Sequence, residues 1–403
     1  MNKKTVKDIE IKGKRVLMRV DYNVPLDESN AVTDDSRIAK SLETINYIIG
    51  QKAKLILMSH LGRPKGTKDP KFSLKPAAER LSKLLNKKVE LLSDCVGKEV
   101  SEKVCAMKDG DVVMLENLRF HSEEEKNDPK FSEQLASIGD IFVNDAFGTA
   151  HRAHASTEGI TKFLPSVAGF LLAKEVTYFD KAITTPERPF VTILGGAKVS
   201  DKIKLIGNLL EKADVILVGG AMAYTFYKVM GIGIGNSKFD PAGEDVAREA
   251  LAKSKKKNVP LVFPVDRVIA QKLEKGVDTQ VVESDIPAGW SGFDIGPKSI
   301  EVFKNHLSKA KTVVWNGPVG VFEYPPFDKG TKALANHLAS LKGTTTIIGG
   351  GDTAAAIKLF GLESKMSHVS TGGGASLEYL EGTVLPGIAA LMDKSETSCC
   401  AHN

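Results

Sequence analysis

Short apolar runs recur along the chain, each followed by a segment with helical spacing. The runs are Val16–Val20, Leu55–Met58, Val89–Leu92, Val112–Leu115 and Ile141–Val143, then Phe190–Leu194, Val215–Val218, Leu261–Val265, Thr312–Trp315, Thr345–Ile348 and His368–Ser370. They are apolar on consecutive positions, as expected of parallel strands buried on both faces. Segments between them, such as Ala77–Leu85 and Lys332–Leu341, repeat apolar residues at helical intervals. This alternation predicts an α/β fold with doubly wound parallel sheets. A chain of 403 residues is long for one core, so two domains are expected. Thr184-Thr185-Pro186-Glu187-Arg188-Pro189 breaks the pattern after the helix-like Gly169–Ile183. The expected division is 1–168, then 169–387 including the connecting helix, with a tail 388–403.

Composition excludes several function classes. A net charge of +5 is mild for this length, and nucleic-acid binding would need clustering as well as excess. Lys255-Lys256-Lys257 reads as a solvated helix end and Glu123-Glu124-Glu125 as exposed surface. No apolar stretch reaches the ~18 residues of a membrane span. The start, Met1-Asn2-Lys3-Lys4-Thr5, leads into charged residues without an apolar signal core. Cys95, Cys105, Cys399 and Cys400 form no C-x-x-C pair, which argues against a zinc or dithiol site and for a reducing compartment. The expectation is a cytoplasmic monomer with small-molecule partners and neither a nucleic acid nor a membrane.

Ligands of such folds sit at the carboxyl ends of the strands. In the first half these ends carry Asp21, Asn23, His60, Arg63, Arg119, His151 and Arg152. In the second half they carry Gly195-Gly196, Gly219-Gly220, Gly349-Gly350-Gly351 and Gly372-Gly373-Gly374. One half thus looks built for a small anion and the other for close approach to a nucleotide.

Gly349-Gly350-Gly351-Asp352-Thr353 opens an alanine-rich helix. Glycines let backbone N–H groups approach phosphate, and a helix start adds partial positive charge. Asp352 would repel a bare phosphate but suits a divalent metal carried by one. Gly349 to Ala354 also fits G-x-G-x-x-A, but no acid ends the next strand as a dinucleotide site wants. A plain tight turn is the structural alternative.

Lys198 and Lys202 follow Gly195-Gly196 and would share one face of a helix, where lysines oppose the dipole unless an anion is present. Two solvated lysines are the alternative. His60-Leu61-Gly62-Arg63 can bind phosphate or carboxylate through charge-assisted bonds. At His151-Arg152-Ala153-His154, oxyanion binding fits better than a metal. Arg37 either serves an anion or pairs with Asp34 and Asp35. There is no G-x-S-x-G elbow, so any chemistry rests on positioning and electrostatics.

Arg15–Pro25 resembles the N-terminal signature of the phosphoglycerate kinase family. Ser59–Pro64, Glu116–Phe120, Asp145–His154, Gly195–Lys202, Trp315–Pro318 and Gly349–Thr353 match further family blocks in order. Tyr22, where phenylalanine is common, and the tail Ser398–Asn403 depart from the pattern.

The resemblance implies two Rossmann-like domains facing across a cleft that closes by hinge bending, with the tail returning to the first domain. It implies reversible phosphoryl transfer between 1,3-bisphosphoglycerate and ADP, giving 3-phosphoglycerate and ATP, with Mg2+. By similarity Asp21, Asn23, Arg37, His60, Leu61, Gly62, Arg63, Arg119 and Arg152 bind phosphoglycerate. Lys202, Gly219, Gly220, Gly292, Pro318, Glu323, Gly349, Gly350, Gly351, Asp352 and Thr353 bind nucleotide, with Asp352 toward the metal. Arg37, Lys198, Gly351 and Gly374 surround the transferring group. The alternatives are a nicotinamide-dependent dehydrogenase using Gly349–Ala354 and a nucleotide-sensing binding protein with the same fold.

Overall fold

The structure, a computed structural model, describes residues 1–394. The chain packs as two units, Met1–Thr177 together with the segment from Val384, and Tyr178–Thr383.

The first unit holds β1 (Arg15–Arg19), β2 (Lys54–Met58), β3 (Glu90–Leu91), β4 (Val112–Met114), β5 (Ile141–Asn144) and β6 (Ser166–Ala168). All pairs are parallel, in the order β3-β4-β2-β1-β5-β6. Met18 of β1 sits between Leu57 of β2 and Val143 of β5, and all three are fully buried. The helix Ser36–Gly50 places Ile38, Ile45 and Ile48 on one stripe against this face. Leu17 and Ile56, pointing the other way, are equally buried, so both faces are covered. Each such side chain contributes about 1.5–3 kcal/mol of burial. The sheet reverses its winding direction at β1, flanked by β2 and β5, which is where the polar loops gather.

The second unit adds β7 (Phe190–Leu194), β8 (Val215–Val218), β9 (Leu261–Val262), β10 (Arg267–Ala270), β11 (Gln280–Val282), β12 (Ser291–Ile295), β13 (Thr312–Asn316), β14 (Thr345–Gly349) and β15 (His368–Val369). Its main sheet is parallel, in the order β15-β14-β13-β7-β8-β9. Trp315 is the bulkiest core residue, and its indole N–H donates to the Gly317 carbonyl at 2.7 Å. The burial of a large aromatic is therefore achieved without an orphaned donor.

Three features differ from the sequence reading. The antiparallel sheet β11-β10-β12 was not foreseen. Its strands carry Arg267, Gln280 and Ser291-Gly292, so their apolar runs are short, the longest being Val268-Ile269-Ala270, and a register shift at Val268/Ile269 breaks the alternation. Strand β6 matches none of the apolar runs read as strands. The packing division falls inside the helix Phe170–Thr184, because its start packs on Tyr47 while Tyr178 stacks on His368.

The segment from Val384 is bonded to the first unit. Lys3 Nζ donates to the carbonyls of Ala389 and Leu391, and Asn144 Nδ2 donates to Gly387 O at 2.8 Å. Cys399, Cys400 and the rest of 395–403 lie outside the described residues.

Candidate functional site

In the first unit, the strand ends bring Asp21, Asn23, Arg37, Gly62 and Arg119 into one bonded network, and His60 lies against Arg19. Arg37 donates to both carboxylate oxygens of Asp21 at 3.2 and 3.1 Å and to Asn23 O at 3.1 Å. Asp35 is held by Arg80. Asn23 Oδ1 accepts from Gly62 N at 2.9 Å, and Gly62 O accepts from Arg119 Nη1 at 2.8 Å. Gly62 has φ +62°, and a Cβ there would lie 2.5 Å from the Phe72 ring, so both conformation and space demand glycine. Arg119 is buried, with Nε 3.3 Å from Glu125. Arg63 is exposed beside it, Leu61 is buried, and Arg152 Nε lies 3.2 Å from His151 Nε2.

Charge in this unit is lopsided. Burial and the nearby Arg19, Arg119, Arg152 and Arg37 hold His60 neutral, well below the usual imidazole range. Burial and the same cations push His154 down to about 3. Burial is the larger cause for both histidines, and the arginines add to it, which marks a positive local potential. Such a cluster is stabilised by a multiply charged anion.

Arg19 and Glu124 are the residues that sequence reasoning missed. Arg19 is 1% exposed, donates from Nε to Ser156 Oγ at 3.0 Å and from Nη1 to Val20 O, and lies with Nη2 3.1 Å from His60 Nδ1. Its signal was a single arginine ending an apolar strand. Glu124 contradicts the reading of its run as surface: it is 0% exposed and accepts from Ser156 Oγ at 2.5 Å and Ser156 N at 2.9 Å. The helix Ser122–Glu125 is only one turn, so its three glutamates face different surroundings.

In the second unit the glycines divide into two kinds. Gly195 and Gly317 are packed backbone on backbone: a Cβ on Gly195 would lie 2.0 Å from Pro318 O, and one on Gly317 would lie 2.2 Å from Gly195 O. Gly196 N donates to Pro318 O at 3.1 Å and Gly220 N to Val319 O at 3.0 Å, so the loops after β7, β8 and β13 are tied together. A Cβ on Gly219 would meet the Val319 side chain and one on Gly292 the Tyr224 hydroxyl. By contrast Gly351 has open space around it. Gly350, at φ +86°, turns β14 into the helix Gly351–Leu359, and Gly374 starts the helix Gly374–Leu380.

Lys198 and Lys202 do not share a helical face. Residues 195–199 form a loop, Ser200–Lys202 is a single 3-10 turn, and the α-helix begins only at Ile203. Gly196 at φ +104° and the capture of Ser200 by Asp240 Oδ2 keep the backbone off the helical path. Lys198 is exposed. Lys202 Nζ reaches Asn316 Oδ1, and burial pulls it down to about 8 against the opposing charge of Asp352. Thr353 is buried, and its hydroxyl accepts from Gly317 N at 2.7 Å.

A cavity of about 450 Å³ opens between these loops and β12. Gly220, Gly292, Pro318, Glu323 and Asp352 line it, with Tyr224 and Phe293 as aromatic walls. Its size and apolar walls suit a base and sugar, and its polar rim suits phosphates.

Comparison with known proteins decides the family. A family model described as phosphoglycerate kinase matches residues 6–383. The chain belongs to the phosphoglycerate kinase family. It is 56% identical over 400 residues to the phosphoglycerate kinase of Fervidobacterium nodosum, covering 98% of this chain and 100% of that one. It is 55% identical over 400 residues to the phosphoglycerate kinase of Thermosipho africanus, covering 98% and 99%. The solved phosphoglycerate kinase from Coxiella burnetii superposes with a TM-score of 0.87 at 41% identity, covering 96% of this chain and 98% of that one. Phosphoglycerate kinases are phosphotransferases.

Proposed function

We infer that the chain catalyses reversible phosphoryl transfer between 1,3-bisphosphoglycerate and ADP, giving 3-phosphoglycerate and ATP, the glycolytic step performed by its family. The arginine cluster of the first unit is the observation that carries this reading. Arg37, Arg63, Arg119 and Arg152, with neutral His60, seat the phosphoglycerate, and Asp21 and Asn23 hold Arg37 and the Gly62 turn in place. Burial of Arg119 keeps competing water from it, so its charge-assisted bonds count for more than those of the exposed Arg63.

The nucleotide occupies the cavity of the second unit, with Gly219, Gly220, Gly292 and Pro318 around the base and Glu323 toward the ribose. Gly349, Gly350, Gly351 and Lys202 take the phosphates. Thr353 supports them indirectly, since its hydroxyl is spent on the loop after β13. The nucleotide enters as its magnesium complex. Asp352 fits that role: its carboxylate is exposed in the first turn of a helix, no hydrogen bond holds it among the described residues, and a hard oxygen donor suits Mg2+. When bound, the metal neutralises charge between the phosphates.

The substrate carboxylate is already a nucleophile, so no protein base is needed. Lys198 and Arg37 neutralise the transferring group in line between donor and acceptor, with Gly351 and Gly374 offering backbone N–H groups. Hinge closure excludes water, which would otherwise hydrolyse the acyl phosphate. The chain works as a cytoplasmic monomer; no helix of the described residues is long and apolar enough to cross a membrane.

A coupled assay with 3-phosphoglycerate and Mg-ATP should show ADP release that requires both substrates. ADP release indifferent to 3-phosphoglycerate would refute the reaction. Asp352→Ala should abolish the magnesium dependence of nucleotide binding in calorimetry, while Mg-ATP affinity equal to that of the unaltered chain would remove Asp352 from the metal side.

Lys202 gives a pH signature. Near pH 8 and above, the free enzyme holds part of its Lys202 population neutral, because burial lowers this amine to about 8. Nucleotide phosphate favours the charged form, so binding takes up a proton there and weakens as pH rises. Calorimetric heats of ADP binding at pH 8.5 should therefore depend on buffer ionisation enthalpy, and Lys202→Met should flatten that dependence. Identical heats in all buffers for the unaltered chain would contradict the assignment.

A further inference from the structure

Strands β3 and β4 are parallel neighbours, so the loops that follow them emerge side by side. The loop after β3 carries Asp94 and Cys95, and His121 follows β4, just before the helix Ser122–Glu125. Glu116 N donates to Asp94 O at 3.3 Å and ties the two loops together. His121 Nε2 lies 2.7 Å from Asp94 Oδ1, and that oxygen also accepts from Cys95 N at 2.6 Å. One ligand atom from each of Asp94, Cys95 and His121 lies within 4.8 Å of the other two. Among the described residues no other three such side chains come as close together.

The surroundings hold this trio in place. His121 stacks on Phe131, with ring centroids 5.2 Å apart, which fixes the imidazole plane. Cys95 is fully buried, while the His121 and Asp94 side chains are 28% and 41% exposed. The sulfur therefore forms an enclosed floor, and the carboxylate and imidazole form an open rim. Burial and the Asp94 charge hold the Cys95 thiol well above its usual range, so it is not a ready nucleophile. With its proton in place, the trio is a hydrogen-bonded cluster. With that proton removed, the same atoms offer thiolate, imidazole and carboxylate to one cation. The missing C-x-x-C pair excluded only a thiol-rich site; here one thiol is completed by a neighbour and by the next strand end.

We propose that Asp94, Cys95 and His121 form a binding site for one borderline-soft divalent cation of the zinc class. Thiolate and imidazole select such a cation over Mg2+, which takes oxygen ligands. On binding, the Cys95 thiol gives its proton to solvent, His121 keeps its proton on Nδ1, and Asp94 exchanges its bond to His121 for the metal. Two anionic ligands then balance the divalent charge. Three protein ligands leave a fourth, tetrahedral position to water at the open rim. The site belongs to the first unit, whereas Asp352, on the magnesium side of the nucleotide, belongs to the second. The cation staples the loops after β3 and β4.

Cobalt reports these ligands directly. Thiolate–cobalt bonding gives a near-ultraviolet charge-transfer band, and four-coordinate cobalt absorbs strongly in the visible. The experiment titrates Co2+ into the chelator-treated full chain, in which Cys105→Ser, Cys399→Ser and Cys400→Ser leave Cys95 as the one thiol. One equivalent should raise both bands; Zn2+ should erase them, and excess Mg2+ should not. Cys95→Ser should abolish the charge-transfer band, and His121→Asn should weaken Co2+ binding by about tenfold or more. Zn2+ should raise the unfolding temperature of the chain that keeps all three ligands and of neither variant. No thiolate band with Co2+ overturns the proposal, and so does a band that survives in His121→Asn at unchanged affinity. Displacement of cobalt by Mg2+ is equally fatal, since it marks an oxygen site. Should Cys95→Ser fail to fold, Asp94→Asn and His121→Asn alter only the open rim, and unchanged Co2+ affinity in both also overturns it.

Discussion

Lys198→Ala should lower kcat by ~10²–10³-fold while leaving the nucleotide KM within about threefold, the pattern of a group that acts mainly on the transition state. The structure makes this a clean substitution. Lys198 is exposed on the loop after β7, and that loop is held without it: Ser200 N and Oγ donate to Asp240 Oδ2 at 2.9 and 2.7 Å, and Gly196 N donates to Pro318 O. Loss of the amine should therefore leave folding unchanged. Charge on the phosphoryl group peaks during transfer, so a mobile cation beside it contributes most at that moment. Lys198→Arg should recover part of kcat by restoring charge at a different geometry. Turnover of the alanine variant near that of the unaltered chain, or a loss confined to KM, would take Lys198 out of the transferring site.

Glu124→Ala should cost about 3–5 kcal/mol of unfolding free energy, because it strands a buried cation. Arg19 is fully enclosed near Arg119 and Arg152, and burial already depresses its guanidinium to about 10. Glu124 is foremost among the opposing charges, with Asp21 next. Burial raises Glu124 itself while Arg19 and the two bonds from Ser156 pull it back. Chemical denaturation followed by circular dichroism measures the loss. Glu124→Gln keeps an acceptor for Ser156 and should lose less. The double change Arg19→Met with Glu124→Gln should recover part of the deficit, since the stranded charge is gone. A cost under about 1 kcal/mol for Glu124→Ala would mean that Arg19 does not depend on it.

The parallel strands were legible because burial on both faces writes a continuous apolar run, as in Val16–Val20 and Thr345–Ile348. The sheet β10–β12 was illegible because its apolar runs are short and broken by polar residues, as at Asp294 in β12. The charged residues show a different limit. Glu123, Glu124 and Glu125 are identical in type and adjacent, yet only Glu124 is sealed inside. Nothing local distinguishes them; the choice is made by Arg19 and Ser156, far away in sequence. The glycine-rich strand ends were visible, but their reasons were not. Gly195 and Gly317 are required by each other's backbone, whereas Gly351 faces open space. Thr353 was read beside phosphate, and its hydroxyl serves Gly317 instead.

The return of the segment from Val384 to the first unit has a consequence for synthesis. The chain leaves that unit at Thr177 and comes back only after Thr383. During translation, residues 178–383 therefore emerge as one uninterrupted block and can complete their own core while the earlier unit still waits. Lys3 cannot meet Ala389, nor Asn144 meet Gly387, until the last stretch has left the ribosome. The first-made half of this enzyme is the last to be finished, and a truncation that spares the whole nucleotide half still leaves the other half unsealed.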